Sequence, residues 1–376
     1  MSLLAFYSLP ILLILIGSVY LVFRLKKVLF GSWSKKQWLP WVVSITLSAG
    51  LFYMARNMLS FQTYLVGLLI ICFLITDVLR FIAKRFVKSE KWFRIAKRIY
   101  ARGAFAFLLM AVILLYGYIN IRSVKITEYN IEAKKFTQGQ NLKVGLISDI
   151  HLGTTMNAEE LDKHMDRLKD KSLDMLILAG DIFDESTKKE EMIKACEILG
   201  SVKTTYGSYY VYGNHDLLTH GRNAEITSTE IANHLTNNGI TVLRENTTLV
   251  ADSFYLIGRT DAWHARQTGR KSIEELVSKL DSSKYMILID HQPLEFKKAA
   301  SLGIDLHLSG HTHGGQIWFL GVLNELTGRT ELNYGLREDG AYRAIVSSGM
   351  GGWKYPQRIL SRSEMVILNI GPERVN

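Results

Sequence analysis

Cysteine is almost missing from this chain of 376 residues, which contains only two. Cys72 lies in an apolar run and Cys196 in a helix-like stretch, so neither a disulfide framework nor a thiolate zinc site is expected. Prolines number only five and charged residues only 21%, whereas hydrophobic types reach 48%. This composition excludes an intrinsically disordered chain and predicts a packed protein with a very apolar part.

Acidic residues are scarce in the first third of the chain. Residues 1–122 contain 16 Lys and Arg against only Asp77 and Glu90, whereas residues 123–376 contain 29 basic and 33 acidic residues. The formal net charge of +10 therefore comes from the first third, and the remainder is mildly acidic. Because a nucleic-acid surface needs clustered Lys and Arg, we expect no nucleic-acid partner.

The first third also contains long apolar runs, at about 3–23, 39–55, 61–79 and 103–119. Each is close to the ~20 residues that cross a bilayer as a helix. A buried helical domain is the alternative, but soluble helices carry a polar stripe, and residues 64–75 have almost none. We therefore predict a transmembrane region of four helices in residues 1–122.

The basic residues between these runs predict an orientation. Five lie in residues 24–38 and nine in residues 80–102, but only one lies in residues 56–60 and one directly after the last run. Loops rich in Lys and Arg remain in the cytoplasm. The pattern predicts a multi-pass cell-membrane protein, in contact with membrane lipids, whose residues after 122 form an extracytoplasmic domain.

Residues 142–376 have the pattern of an α/β domain, preceded by a linker at 123–141. Short β-rich apolar runs alternate with polar helical stretches. Five of the runs end in polar residues, namely Asp149-Ile-His151, Gly180-Asp181, Gly213-Asn214-His215-Asp216, Asp290-His291 and Gly310-His311-Thr-His313. Because loops at the carboxyl ends of such strands converge, these residues are expected to form one site.

The side chains in those loops are suitable ligands for divalent metal ions. They offer carboxylate, amide and imidazole donors without a thiolate, a set that suits Mn, Fe or Zn. The candidates are Asp149, His151, Asp181, Asn214, His291, His311 and His313. Seven donors are too many for one ion but suffice for two ions that share a carboxylate, an arrangement used for phosphoryl displacement. We predict two divalent ions of open identity.

The ordered series D-x-H, G-D-x-x-D, G-N-H-D, a later His and G-H-x-H resembles the calcineurin-like metallophosphoesterase family over roughly residues 142–370. The strings at 310–318 and 347–358 resemble a branch of that family often attached to membranes, which includes enzymes similar to UDP-2,3-diacylglucosamine pyrophosphatases. The resemblance implies a two-sheet β sandwich flanked by helices, an αββα arrangement.

The resemblance also implies a role for each matching residue. The first metal would be held by Asp149, His151 and His313, the second by Asn214, His291 and His311, and both by the bridging Asp181. A metal-bridging hydroxide would attack phosphorus. His215 would stabilise the transition state or protonate the leaving oxygen, with Asp216 orienting its ring. Asp184 would hydrogen-bond to a ligand histidine.

These implications predict a membrane-anchored, two-metal-dependent phosphoesterase that hydrolyses phosphoester or pyrophosphate bonds. Tethering near the bilayer favours a lipid-linked or cell-envelope substrate. The alternative is a membrane sensor or scaffold that binds a phospho-ligand without turnover; the loss of one or two ligands would have favoured it, and none is lost. The type of bond, the oligomeric state and any role of the helices beyond anchoring stay open.

Overall fold

The structure, a computed structural model, describes residues 3–30, 38–54, 61–86, 95, 98–217, 225–317, 321, 324–359 and 361–372. The chain divides into two compact units, Met1–Tyr116 and Gly117–Asn376.

The first unit is helical, and its helices occupy the four apolar runs of the sequence. They are α1 (Leu3–Phe30), α2 (Trp38–Met54), α3 (Phe61–Phe86) and most of α4 (Ala104–Arg122). By length and composition, α3 and α4 are able to cross a membrane. Helix α2 is apolar but has 17 residues, fewer than the ~20 of a full span. Two of the four predicted crossings therefore meet the requirements of a span among the described residues.

The second unit is built on two mixed β-sheets. Its strands are β1 (Lys125–Ala133), β2 (Leu142–Ile147), β3 (Met175–Ala179), β4 (Ser208–Val211), β5 (Ile240–Val242), β6 (Asn246–Val250), β7 (Phe254–Gly258), β8 (Tyr285–Ile289), β9 (Leu306–Ser309), β10 (Gly335–Asp339), β11 (Tyr342–Val346) and β12 (Glu364–Pro372). The strand order is β1-β12-β2-β3-β4-β5 in one sheet and β10-β11-β9-β8-β7-β6 in the other.

Several helices of this unit begin where the sequence supplies a capping residue. They are α5 (Ala158–Lys169), α6 (Lys189–Gly200), α7 (Asn214–Leu217), α8 (Ser228–Asn237), α9 (Ala262–Thr268), α10 (Ile273–Val277) and α11 (Phe296–Ser301), with a 3₁₀ turn at His313–Gly315. Asn157, Thr227 and Ser272 form capping boxes at the starts of α5, α8 and α10. Each cap satisfies backbone N–H groups that a helix start otherwise leaves unpaired.

The sheets pack face to face, with helices on their outer faces. Along β3, Ile177 packs between the sheets against residues such as Ile287 of β8, whereas Leu176 and Leu178 face the outer core formed with α5 to α8. Outside the second sheet, Leu288 packs with residues of α10 and α11. Successive side chains of a strand point to opposite faces, which explains why these strands are apolar throughout. The predicted α/β domain with two sheets is confirmed.

Residues 123–141 differ from the predicted linker, because they contain β1. This strand pairs in parallel with β12 over nine residues, from Lys125 opposite Glu364 to Ala133 opposite Pro372. Ile131 and Ala133 are buried in the core between the sheets. Polar and charged residues interrupt the strand, and its partner lies at the far end of the chain, so local sequence does not distinguish it from a linker.

The sheets bring the carboxyl ends of five strands to one edge. Strands β2, β3 and β4 are parallel neighbours in one sheet, and β8 and β9 in the other. Backbone hydrogen bonds continue past the strand ends, from Asp149 N to Gly180 O at 3.0 Å and from Gly310 N to His291 O at 3.0 Å. The loops that carry the candidate ligands are therefore fixed by the sheets.

Candidate metal centre

Most of the candidate ligands adopt a backbone conformation that is unusual for residues other than glycine. The φ angles are 50° at Asp149, 46° at His151, 52° at Asp181, 70° at His311 and 52° at His313. A residue held in this left-handed region costs on the order of 1–3 kcal/mol, and such residues cluster at functional sites. The surrounding structure therefore forces these side chains to point into the site.

Glycines next to the ligands allow the loops to approach each other closely. A methyl group at Gly180 would lie 2.5 Å from Gly213 N and 2.7 Å from Nδ1 of His291. One at Gly213 would collide with the Asp181 carboxylate. Each glycine of the motif is thus explained by the space that a neighbouring ligand occupies.

The first group of donors consists of Asp149, His151 and His313, whose ligand atoms lie within 4.8 Å of one another. The two imidazole Nε2 atoms are 3.2 Å apart, and Nε2 of His313 lies 3.5 Å from Oδ1 of Asp149. All three residues are buried. Asp184, outside the group, places Oδ2 at 3.3 Å from Nδ1 of His151. Burial raises the pKa of Asp184, but the contact with His151 outweighs it and lowers the pKa to about 2.

The second group consists of Asp181, His291 and His311, again with ligand atoms within 4.8 Å of one another. Nδ1 of His291 lies 2.7 Å from the Ala179 carbonyl and donates to it, which leaves Nε2 facing Oδ2 of Asp181 at 3.1 Å. The same Oδ2 lies 3.8 Å from Nε2 of His151. Asp181 therefore stands between the two groups.

Asn214, the remaining candidate for the second ion, is the first residue of α7 and follows Gly213 in the loop after β4. Its Oδ1 atom is buried and has no hydrogen-bond partner among the described residues. A buried polar oxygen left without a partner costs about 1–3 kcal/mol, so a ligand for it is expected. An amide oxygen is a suitable donor to a divalent cation.

The protonation states of two histidines also suit metal binding. Burial, with the nearby His291 charge, lowers the pKa of His311 to about 3. Burial, with the charges of His151 and Arg358, lowers the pKa of His313 well below its usual value. Burial thus favours the neutral form of both imidazoles, which is the form that coordinates metals, whereas at His291 the Asp181 carboxylate outweighs burial and raises the pKa. The donor set as a whole fits two divalent ions.

His215 lies beside the two groups with 14% of its side chain exposed. Its backbone N donates to Oδ1 of Asp181 at 2.8 Å, and its Nδ1 lies 3.1 Å from the Glu185 carboxylate. Burial lowers the pKa of His215, but the Asp181 and Glu185 charges outweigh it and raise the pKa to about 9. The ring also packs against Trp353, with centroids 5.7 Å apart. Glu185 and Trp353 therefore hold the ring of His215 in place beside the donor groups.

The Asp216 carboxylate is held by backbone N–H groups. The family resemblance implies that Asp216 orients the His215 ring; in the structure its carboxylate accepts hydrogen bonds from Asp181 N at 2.7 Å, Gly213 N at 2.8 Å and Phe183 N at 2.9 Å. Because these donors belong to the loops after β3 and β4, Asp216 ties the two loops together. The carboxylate that faces the ring is that of Glu185.

Glu185 was missed by sequence reasoning because Asp184, one residue earlier, completes the G-D-x-x-D motif. The only signal was a second acidic residue directly after the motif. Asp290 is another acidic residue next to the site, directly before the candidate ligand His291. This buried carboxylate forms ion pairs with Arg259 at 3.1 Å and Arg270 at 2.9 Å. The two arginines neutralise its charge, and neither of them belongs to the donor groups.

Comparison with known proteins agrees with this geometry. Residues 142–315 match the family described as calcineurin-like phosphoesterase. A metallophosphoesterase of Aquifex aeolicus is 30% identical over 270 residues, which cover 70% of this chain and 98% of the relative. A metallophosphoesterase of Helicobacter pylori is 33% identical over 237 residues, 62% of this chain and only 61% of that relative. The chain belongs to the calcineurin-like metallophosphoesterase family.

A third relative is named as a transmembrane protein. The "transmembrane protein with metallophosphoesterase domain" of Danio rerio is 31% identical over 287 residues, which cover 72% of this chain and 64% of the relative.

Proposed function

We propose that the chain is a membrane-anchored phosphoesterase that depends on two divalent metal ions and hydrolyses a phosphoester or pyrophosphate bond. Residues 1–122 form the membrane region and residues 142–376 the catalytic domain, to which β1 also belongs. The observation that carries the proposal is the position of Asp181, whose Oδ2 lies 3.1 Å from Nε2 of His291 and 3.8 Å from Nε2 of His151. One carboxylate is thus shared by two groups of donors.

The donor groups assign the ligands. We assign Asp149, His151 and His313 to the first ion, Asn214, His291 and His311 to the second, and Asp181 to both. Mn, Fe and Zn all suit this mixture of oxygen and nitrogen donors. When bound, such ions supply an activated water and neutralise charge on phosphate oxygens.

The remaining residues orient groups and handle the proton. Glu185 holds Nδ1 of His215, which directs the other ring nitrogen away from the carboxylate. His215 then donates a hydrogen bond to the phosphate or a proton to the leaving oxygen. Asp184 fixes the ring of His151 in the same way, and Asp216 fixes the loops that carry Asp181 and Asn214.

The membrane region places this chemistry near lipids. Two described helices are able to span a membrane, and a relative is named a transmembrane protein. The distribution of basic residues supports four crossings with the catalytic domain outside the cytoplasm. A tethered domain meets membrane-bound molecules at high effective concentration, so we propose a lipid-linked or cell-envelope phosphoester as substrate.

The test is turnover by the full chain, purified in detergent and supplied with Mn²⁺, Fe²⁺ or Zn²⁺ in turn. The substrates are a soluble aryl phosphomonoester, its diester, a lipid phosphate and a lipid pyrophosphate. We expect hydrolysis with at least one metal, faster for a lipid substrate, and its loss in Asp181→Asn. The alternative of a sensor without turnover is favoured instead if the metal-loaded wild-type chain binds these compounds and hydrolyses none.

A further inference from the structure

Arg358 is a fully buried cation that forms no ion pair with any carboxylate among the described residues. Its guanidinium group is instead surrounded by backbone carbonyls. Nη1 donates to His313 O and Ser348 O, each at 2.8 Å, and Nη2 donates to Gly351 O. Burying a charge without a counter-charge costs free energy. The role of Arg358 is therefore expected to lie in the backbone groups that its guanidinium binds.

The carbonyls that Arg358 holds belong to loops of the first donor group. His313 is a donor itself, and its backbone is in the left-handed region with φ 52°. The loop of Gly351 supports a second donor, because Gly351 N donates to Asp149 O at 2.9 Å and Met350 N donates to Ser148 O at 3.0 Å. One guanidinium group therefore joins the loops that present Asp149 and His313.

The backbone of Arg358 is held in turn by the last turn of α4. Arg358 N donates to Gly117 O at 3.2 Å. The side-chain amide of Asn120 donates to Arg358 O at 3.0 Å and to Ser361 O at 2.7 Å. Ser361 also reaches the ligand loop, since its hydroxyl donates to His313 O at 3.2 Å. Hydrogen bonds thus run without a break from Asn120 through residues 358 and 361 to the backbone of His313.

We propose that Asn120 and Arg358 are positioning residues for the first metal ion. The last residues of α4 would then support the metal centre in addition to ending an apolar helix. Asn120 fixes the segment around Arg358, and Arg358 fixes the ligand loops. The inference rests on the proposed function only in requiring that the donor groups bind metal. It concerns affinity for the ion and not the identity of the substrate.

The test measures Mn²⁺ binding to the full chain in detergent, by equilibrium dialysis with electron paramagnetic resonance of the bound ions. Asn120→Asp keeps the size of the side chain but removes its donor and turns an acceptor toward two carbonyls. We expect one of the two ions to bind about 10- to 100-fold more weakly, the usual effect of losing an outer-shell partner. Asn120→Ala should show a smaller loss of the same ion, and Arg358→Lys a loss of at least that size.

Asn130→Asp is the matched control. Asn130 lies exposed on β1, where its side chain accepts from Nδ2 of Asn369 at 3.2 Å, and it is not connected to Arg358 by any of the bonds above. We expect this variant to bind both ions with wild-type affinity. Near-UV circular dichroism establishes that each variant is folded, and if Arg358→Lys does not fold, the Asn120 variants decide.

Unchanged affinity for both ions in folded Asn120→Asp overturns the proposal, even if the melting temperature falls, because the role would then be only structural. Equal weakening of both ions also overturns it, since the bonds lead to one donor group. A wild-type chain that binds two Mn²⁺ ions and hydrolyses no phosphoester rejects the proposed function but leaves this comparison valid. A wild-type chain that binds no Mn²⁺ rejects both.

Discussion

Residues of the metal centre act in pairs, in which one group orients the imidazole of another. The Ala179 carbonyl receives Nδ1 of His291, and carboxylates face Nδ1 of His151 and of His215. In His151 and His291 the second ring nitrogen, Nε2, then lies near Oδ2 of Asp181. Such partners fix the tautomer and the ring position, so their loss weakens a site that still contains all of its ligands.

Replacing His215 separates catalysis from metal binding. His215→Ala should lower turnover about 10²- to 10⁴-fold, because a positioned acid or hydrogen-bond donor is removed, while both ions stay bound. Glu185→Gln should cause a smaller loss, since the ring remains. Steady-state kinetics with a poor leaving group, together with metal analysis, checks this. Near-normal turnover in His215→Ala would show that the role is wrongly assigned.

Two glycines that flank β9 give a test of close packing. A methyl group at Gly310 would meet Ser148 Oγ at 2.6 Å and collide with the Asp149 carboxylate, so Gly310→Ala should lose metal. Gly303 has φ 82° and open space around it, so Gly303→Ala should cost roughly 1–2 kcal/mol of stability and leave the ions bound. The metal content and the thermal unfolding of both variants are measured. Wild-type metal content in Gly310→Ala would contradict the close approach of Gly310 to Asp149.

At the residue scale, the candidate ligands could be named from the sequence because each follows an apolar run and belongs to a specific ordered motif. The residues that hold these candidate ligands in place could not be predicted from the sequence. Glu185 and Asn120 belong to no motif, Arg358 ends the string 347–358 without a role that the sequence indicates, and Asp216 belongs to a motif but accepts hydrogen bonds from backbone N–H groups. Such contacts depend on the three-dimensional approach of distant loops, which a single sequence does not specify.

Among the elements, the buried strands were the easiest to predict and β1 the hardest. Strand β3 reads MLILA and is buried at every position, as expected for a central parallel strand. Strand β1 reads KITEYNIEA, is buried only at Ile131 and Ala133, and lies at the sheet edge beside β12. An edge strand needs one apolar face only, so its sequence resembles a polar linker.

The strand assignment of residues 125–133 is tested by two neighbouring substitutions. Ile131 is buried between the sheets, so Ile131→Ala should lower the free energy of unfolding by about 2–5 kcal/mol. Glu132 is exposed on the other face, and Glu132→Ala should change it by less than about 0.5 kcal/mol. Thermal unfolding of the full chain measures both. Equal and negligible effects would mean that the segment is a linker after all.

For the whole molecule, the orientation in the membrane determines which substrates the site can meet. The basic loops at 24–38 and 80–102 predict that the chain after residue 122 lies outside the cytoplasm. In a variant whose two native cysteines are replaced, Asp339→Cys should react with an impermeant thiol reagent in intact cells or spheroplasts. Asp339 is exposed in the second unit, whereas Ser89→Cys in the basic loop should stay unlabelled. Labelling of Ser89→Cys alone would show that the orientation is the opposite one. The site would then face the cytoplasm, where it could meet cytosolic substrates.

The central claim, that two ions held around Asp181 make this chain a phosphoesterase, is tested most directly by titrating metal into the stripped protein. The full chain is freed of metal with a chelator, Mn²⁺ is added in steps, and bound ions and phosphoester turnover are measured on the same samples. We predict no turnover without metal and full turnover as the content approaches two ions per chain, with neither reached by Asp181→Asn. Full turnover in the metal-free chain, or a folded wild-type chain that binds no ion, would contradict it.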